Sequence, residues 1–449
     1  MNLFRYLVIA AFALCVFKHE SKAQKVLTLD DCISIAMENN IALQQAKNNS
    51  LIAKSNQFQA LMNFLPSLNA RTNYSYNFGT FFDTNAAKQV SATTNSSSPG
   101  LSSNLMLFNG FSNQYERKAR WHQSESAANG IEEQKVIVRS AILGSYLNVV
   151  IDKENIKISK DRIELLKAQL DREQKRESVG VGNLDLVYSF KSQVATEKLN
   201  MVNMVNRLKS DQLVLLQALG IDLSEQYEIA SYNFKDEDVL LEADTFDNVL
   251  KTSLDYAPGI KRAHGNLKAS SYNYKMAKAG YLPTISAFAS YGSNYSSNGA
   301  RNPESGALEE NATFFDQLNY NKNKYINFAL NIPIFGNWRT RNRTQIARIG
   351  MINSELDLKQ SELTITNIVQ RVYLDLIAAQ STYEAAIENL VSLNQSYEFV
   401  KTRYENGNTD FFTYLESLNN KNRAEIQLAN SKYSIVFRKK ILDVYKGML

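Results

Sequence analysis

Few side chains in this chain of 449 residues are of the kinds that do chemistry. There are three histidines, His19, His122 and His264, and two cysteines, Cys15 and Cys32. Of these, Cys32, His122 and His264 lie beyond the expected export signal and none stands at metal-ligand spacing from another, and neither a phosphate-cradling glycine loop nor a nucleophile elbow occurs. The reading is therefore not an enzyme, with no catalytic residue, cofactor or metal. What recurs instead is a short polar turn, Gly182-Asn183-Leu184-Asp185 and Gly407-Asn408-Thr409-Asp410. A glycine that ends one helix, followed by an aspartate that starts the next, makes a helix–turn–helix tip. Asp185 and Asp410 are read as its N-caps, each leaving one negative charge at the tip.

The chain that carries these turns begins like an export signal, 1–23. Arg5 is its positive start, Tyr6 to Phe17 its apolar stretch, and Ser21-Lys22-Ala23 its small-residue cleavage site. Twelve apolar residues are too few to span a bilayer. Leu14 is too bulky for a lipid-modified Cys15. Cleavage leaves Cys32 alone, so no intrachain disulfide is expected. Losing Arg5, Lys18, Glu20 and Lys22 takes the net charge from +5 to +3. With no lysine/arginine run, nucleic acid is not an expected partner. No mature stretch reaches ~18 consecutive apolar residues, which leaves β-strands as the only route into a membrane.

The mature chain is a duplication, 24–219 and 245–449, joined by a linker at 220–244. At an offset of 217, Thr28 meets Thr245, Ala60 meets Ala277, Leu65-Pro66 meets Leu282-Pro283 and Tyr74 meets Tyr291. At 227, Phe108 meets Phe335, and at 225 the two polar turns coincide. Each copy reads helix, strand, strand, very long helix, helix. The expected bounds are helices 28–63, 112–178 and 184–219 with strands 66–82 and 101–109. In the second copy they are helices 245–281, 338–404 and 409–447 with strands 283–296 and 325–335. A residue before proline is pushed out of the helical region, so each Leu-Pro marks a helix-to-strand switch.

The strands alternate. Leu68, Ala70, Thr72, Tyr74, Tyr76 and Phe78 interleave with Asn69, Arg71, Asn73, Ser75 and Asn77, and Ile326, Phe328, Leu330, Ile332 and Ile334 behave likewise. A soluble half-buried sheet shares that pattern. Strand length, Asn/Ser-rich wet faces, the tyrosines Tyr74, Tyr76, Tyr291 and Tyr295, and the export signal favour a membrane barrel. Segments 83–100 and 297–324, rich in Ser, Asn, Thr and Gly, read as external loops.

The long helices carry heptad columns. Met351, Leu358, Ile365, Val372, Ala379, Ala386, Leu393 and Val400 form one, and Ile349, Leu356, Leu363 and Ile377 another. In the first copy Ile142, Val149, Ile156, Ile163 and Leu170 pair with a second column of Ile151, Ile158 and Leu165. Columns two residues apart lie roughly 200° apart around a helix. A simple coiled-coil dimer needs one seam; two imply a neighbour on each flank, a palisade closing into a tube. Stacked end to end, the short helices of a copy match its long one, meeting near an equatorial linker. Four strands cannot close a barrel, whereas three chains supply twelve.

These features, with Phe108-Asn109-Gly110-Phe111 and Phe335-Gly336-Asn337-Trp338 leading from strand to helix, resemble the TolC-type outer membrane factor family. The resemblance implies an α+β membrane protein, mostly α, built as a homotrimer. Its 12-stranded outer-membrane β-barrel would be continuous with a periplasmic α-helical coiled-coil barrel. It implies outer membrane lipid, a periplasmic adaptor (membrane fusion) protein and an inner-membrane RND or ABC pump as partners, for efflux or type I secretion. The tip turns Gly182, Asn183, Gly407 and Asn408 would meet the adaptor. The family gates its tip with tyrosine, arginine and acidic contacts. Here Tyr404 matches the tyrosine and Glu416 an acid, while Thr409 stands at the arginine and Thr413 at a second acid. An ionic gate and a hydrophobic one made by Phe411 or Phe412 both stay open, as does a pore-less periplasmic adaptor or scaffold.

Overall fold

The structure, a computed structural model, describes residues 25–83, 87–91, 93–221, 227–232 and 244–448. The export signal and most of the linker lie outside them. Two compact units emerge: Met1–Lys47, Ile131–Pro258 and Glu362–Leu449 form one, Asn48–Gly130 and Gly259–Ser361 the other.

The first copy runs β1 (Lys25–Leu27), α1 (Leu29–Asn39), α2 (Ile41–Met62), β2 (Ser67–Arg71), β3 (Tyr74–Asn77), β4 (Thr80–Asp83), β5 (Lys88–Ser91), β6 (Thr94–Ser97), β7 (Gly100–Asn109), α3 (Ser112–Ser178) and α4 (Leu184–Leu219). After β8 (Tyr227–Ile229) the second runs α5 (Phe246–Tyr256), α6 (Pro258–Ala279), β9 (Thr284–Gly292), β10 (Tyr295–Ser296), β11 (Ala300–Arg301), β12 (Leu308–Glu309), α7 (Phe314–Tyr320), β13 (Asn323–Asn331), α8 (Arg339–Glu405) and α9 (Phe411–Lys446). No helix among the described residues is long and apolar enough to cross a membrane.

The first unit is built on α3 from Ile131 and α8 from Glu362, each part of an unbroken helix of 67 residues. At 1.5 Å per residue that is about 100 Å. Ile142, Val149 and Ala379 of their heptad columns feed the cores, joined by Tyr146, Val369 and Leu376 from outside those columns. Ile142, Val149, Tyr146 and Phe437 pack with Leu215, Leu219 and Cys32 in one cluster, and Val369, Leu376 and Ala379 with Ile435 and Leu442 in another. Each such side chain contributes roughly 1.5–3 kcal/mol on burial. The second column of α8 stays uncovered: Leu356 is 59% exposed and Leu363 52%.

The expected helices 28–63 and 245–281 are each broken. At Asn40 the backbone turns extended, its Oδ1 accepts from the Leu43 N–H (3.1 Å), and its Nδ2 donates to the Ala218 carbonyl (3.0 Å). One residue thus ends α1, caps α2 and ties down the end of α4. At the matching place Ala257 precedes Pro258, which opens α6 where a helix tolerates proline. The short helices meet at these breaks. Gly220, left-handed at φ 70°, ends α4 so close to Asn39 that a Cβ would lie 2.7 Å from its carbonyl oxygen. Gly447 (φ 75°) ends α9 against the Tyr256 ring in the same way. Beside the first joint, β1 and β8 pair in parallel, and the Tyr146 hydroxyl donates to the Ala230 carbonyl (2.8 Å).

The second unit holds a four-stranded antiparallel sheet ordered β13-β9-β7-β2. Its registers put Leu68, Ala70, Leu101, Leu105, Ile285, Ala287, Ala289, Ile326, Phe328 and Leu330 on one face. The other face takes Asn69, Ser102, Asn104, Ser286, Ser290, Asn323 and Asn327, with Phe288 and Tyr325 among them. The expected strand 66–82 is three: β2 joins this sheet, β3 pairs with β6, and β4 forms a hairpin with β5. Tyr74 and Tyr76 therefore belong to a smaller sheet, with Tyr295 of β10 at its other edge. Likewise 283–296 splits at Gly292, 325–335 shifts to β13, and the loop segments contain strands and α7. Gly79 (φ 112°), which breaks the alternation ahead of β4, is one cause.

Two outcomes follow. Gly220→Ala is expected to lower the melting temperature measured by circular dichroism, through left-handed strain of about 1–2 kcal/mol and the Asn39 collision. Gly144→Ala, in open space within α3, should hold or raise it. Asp152 on α3 is buried beside Arg207 (3.3 Å) and Asp211 of α4. Burial, then the Asp211 hydrogen bond, push its carboxyl up to about 6 despite Arg207. The folded state therefore binds this proton more tightly, and the site's stabilisation fades as pH rises from ~4 through ~6. In urea titrations Asp152→Asn should remove that part of the profile, on the order of 1–2 kcal/mol.

Candidate functional site

The residues with ordinary chemical capability are occupied by packing. Burial, then the charge of Asp31, push the Cys32 thiol up to about 12, so it stays un-ionised. His122 lies flat on Tyr272 (5.6 Å, 11°) with Glu125 3.3 Å from Nδ1, and His264 is exposed. The tip where α3 turns into α4 and α8 into α9 is the remaining candidate.

Each tip helix closes with the same hydrogen-bond pair. The Gly407 N–H donates to Tyr404 and Asn408 to Arg403 (3.0 and 2.8 Å), with Gly407 left-handed at φ 74°. In the first copy Gly180 does this, at φ 81°, donating to Glu177 while Val181 donates to Arg176. Gly182 is needed for a different reason, because a Cβ there would collide with the Glu177 backbone nitrogen. The cap of α4 is Asn183, whose side chain accepts from the Asp185 N–H (2.9 Å). Asp185 is thus not a cap; it sits exposed in the first turn. Asp410 does cap α9, accepting from the Thr413 N–H (3.0 Å) and hydroxyl (2.6 Å). Those bonds, the hydroxyl's first, hold its carboxyl below the usual range. The equivalent residues are Gly180 with Gly407 and Asn183 with Asp410. From Ser112 and Arg339 to Leu219 and Lys446 the copies therefore keep one offset of 227 residues, two more than the similar-looking turns suggest.

Behind the turns lies an aromatic cluster of Phe190, Tyr397, Phe411 and Tyr414 with Leu166, Val194 and Leu418. Phe411 is 5% exposed, 4.6 Å from Phe190, so it is core and forms no constriction. Phe412 is 69% exposed and is the aromatic free to face a lumen. Tyr404 stacks on Tyr414 (4.8 Å, 14°). Burial, then the nearby Glu173 charge, raise its hydroxyl's pKa against Arg176 and Arg172. Glu416 is exposed and forms no ion pair among the described residues.

The sequence reading missed the charges that reach this cluster. Arg172 of α3 pairs with Glu405 of α8 at 3.5 Å, and buried Glu173 pairs with Arg176 at 3.3 Å. The dense run Asp171-Arg172-Glu173-Gln174-Lys175-Arg176-Glu177 is the signal that could have shown them. Both partners of the Arg172–Glu405 pair are nearly half exposed, so it contributes roughly 0.2–1 kcal/mol. The Tyr404–Tyr414 stack contributes about 0.5–1.5 kcal/mol beyond its burial. Aromatic packing is the stronger of the two.

The model of one family, outer membrane efflux protein, matches residues 32–221 and 249–442, both copies. The chain belongs to that family. Membership carries an outer-membrane location. The outer membrane protein TolC of Escherichia coli (strain K12) is 22% identical over 306 residues, 68% of this chain and 59% of TolC. This efflux-family chain thus spans about three fifths of the length of that relative. The CmeC outer membrane channel of Campylobacter jejuni shares its fold with a TM-score of 0.78 at 17% identity, over 94% of this chain and 85% of CmeC. The outer membrane protein VceC of Vibrio cholerae gives 0.78 at 14%, over 93% and 96%.

Phe411→Ala should loosen the tip by about 3–5 kcal/mol, read as faster hydrogen exchange in the first turns of α4 and α9. Phe412→Ala should leave exchange unchanged.

Proposed function

We propose that the chain is one third of a homotrimeric outer-membrane channel, a passive conduit for efflux or type I secretion. Its partners are then a periplasmic adaptor and an inner-membrane RND or ABC pump. One observation carries the reading: what this chain leaves uncovered is what a ring of copies would cover. The sheet has a bare edge at β2 and another at β13, and an open edge does not persist in hydrocarbon. The second heptad column of α8, with Ile349, Leu356 and Leu363, is exposed. Pairing β13 with β2 of the next copy and seating that column on a neighbouring helix answers both needs. Three copies give a twelve-stranded barrel wide enough for a pore, its Asn/Ser face inward. A pore-less adaptor would need neither the two-faced sheet nor its free edges, and family membership favours the channel.

The gate we assign to the tip combines the aromatic stack of Tyr404 on Tyr414 with the Arg172–Glu405 pair. Asp410, Asp185 and Glu416 add negative charge at the mouth, and Phe412 an apolar ring. The turns at Gly182, Asn183, Gly407 and Asn408 are the surface an adaptor would meet. Opening then separates α3 from α8, which the weak ion pair permits.

Leu356→Asp should convert trimer to monomer in light scattering and remove the protein from the outer-membrane fraction; trimers of normal yield would sink the seam assignment. In planar bilayers, Arg172→Ala with Tyr404→Ala should raise conductance severalfold, whereas Glu416→Ala alone should shift only cation preference. Unchanged conductance in the double variant would refute this gate.

A further inference from the structure

The outward end of the four-stranded sheet carries a cavity that the channel reading leaves unused. Outward follows from connectivity: the other end joins α2, α3, α6 and α8, so this end leads to the inter-strand segments. The last row of the apolar face across the sheet is Ala70, Leu101, Tyr291 and Lys324. Above it lies a cavity of about 690 Å³. Ala70, Leu101 and Tyr291 wall it from the sheet, with Phe315 and Leu318 of α7 opposite. The next row outward, on the polar face by register, is Arg71, Gly100, Gly292 and Asn323, and its first three members also line the cavity. The cavity therefore caps the outward end of the sheet, taking its apolar wall from the face that would meet lipid and Arg71 from the row beyond it.

Its rim is cationic. Arg71 and Lys322 line it and no carboxylate does. Arg71 is oriented by its Nε, which donates to Asn73 Oδ1 (3.1 Å), leaving the terminal guanidinium nitrogens unbonded among the described residues. Lys322 and Lys324 are exposed and form no ion pair among the described residues. Elsewhere on these outer segments a lysine does find a carboxylate, as Lys88 finds Glu310 at 3.1 Å. Three unpaired cations around an apolar hollow, beside an interfacial tyrosine, form a complement to a phosphate group attached to acyl chains.

We propose that this cavity is a binding site for a phosphate-bearing, multiply acylated lipid of the outer leaflet. Arg71, Lys322 and Lys324 hold its phosphates, and Leu101, Tyr291, Phe315 and Leu318 take an acyl chain. The proposal rests on the outer-membrane reading of the sheet given above. Such a lipid would fasten α7 and the strand ends to the membrane surface, making the lipid part of the rim.

The test uses the full-length protein, extracted as trimer, delipidated, and exposed to hexa-acylated diphosphoryl lipid A. Native mass spectrometry then counts what stays bound. The wild type should retain lipid, and Arg71→Ala with Lys322→Ala and Lys324→Ala should retain at least tenfold less. A charge-matched control on α4, Lys191→Ala with Lys198→Ala and Lys209→Ala, should match the wild type. Lys322→Glu alone, outside any strand, serves if the triple variant fails to fold, and should lose at least threefold. Fully dephosphorylated lipid A and inorganic phosphate should not compete. Equal retention by the rim variants, equal binding of the dephosphorylated lipid, or an empty wild-type trimer each overturns the proposal. The last would mean that a neighbouring copy fills the cavity. Membrane fractionation separates the two readings: absence from the outer membrane removes the channel reading, while an outer-membrane trimer without phosphate-dependent lipid removes only this one.

Discussion

A strand edge in hydrocarbon leaves amide and carbonyl groups with nothing to bond, at several kcal/mol for each. The sheet β13-β9-β7-β2 has two free edges. In the trimer we propose, copies would meet along these edges, and the uncovered column on α8, with Leu356 and Leu363 exposed in one chain, would find a neighbour as well. On that reading, the hydrogen bonds that no lipid can supply and the exposed apolar column call for the same partner.

The tip obeys a different balance of forces. Its turns are held by backbone bonds around Gly180 and Gly407 and by the caps Asn183 and Asp410, all local. Between the two hairpins stand the exposed Arg172–Glu405 pair and the buried contact of Phe190 on Phe411, with the Tyr404–Tyr414 stack inside the second hairpin. The turns thus depend on local bonds, while the seam between the hairpins depends on the aromatic cluster behind them.

Much of this was legible in the sequence, and unevenly so. Long helices announce themselves because a heptad column repeats over many turns, and a missing proline leaves nothing to break it. Short-range geometry is harder. Pro258 inside a nominal helix was a visible warning of the break before α6, yet Asn40 breaks its counterpart with no such mark, since its side chain acts through Leu43 and Ala218. At the tip, Gly182 resembles Gly407 by neighbourhood, but only the sign of φ at Gly180 reveals which glycine ends the helix. The charges at Arg172 and Glu405 lie more than two hundred residues apart, and no local pattern joins them. Strands near the outer end are harder to read, because alternation runs unbroken from Leu68 to Phe78 while the partner strand changes from β7 to β6.

The unbroken offset of 227 residues bears on the history of this chain. Before the strands the copies run at 217, so the ten-residue difference falls between Tyr74/Tyr291 and Phe108/Phe335. In the hairpins a single inserted residue would rotate every later side chain by about 100° and misalign both seams at once. In the segments between the strands an insertion merely lengthens a turn, and that is where the two copies of this chain differ in length.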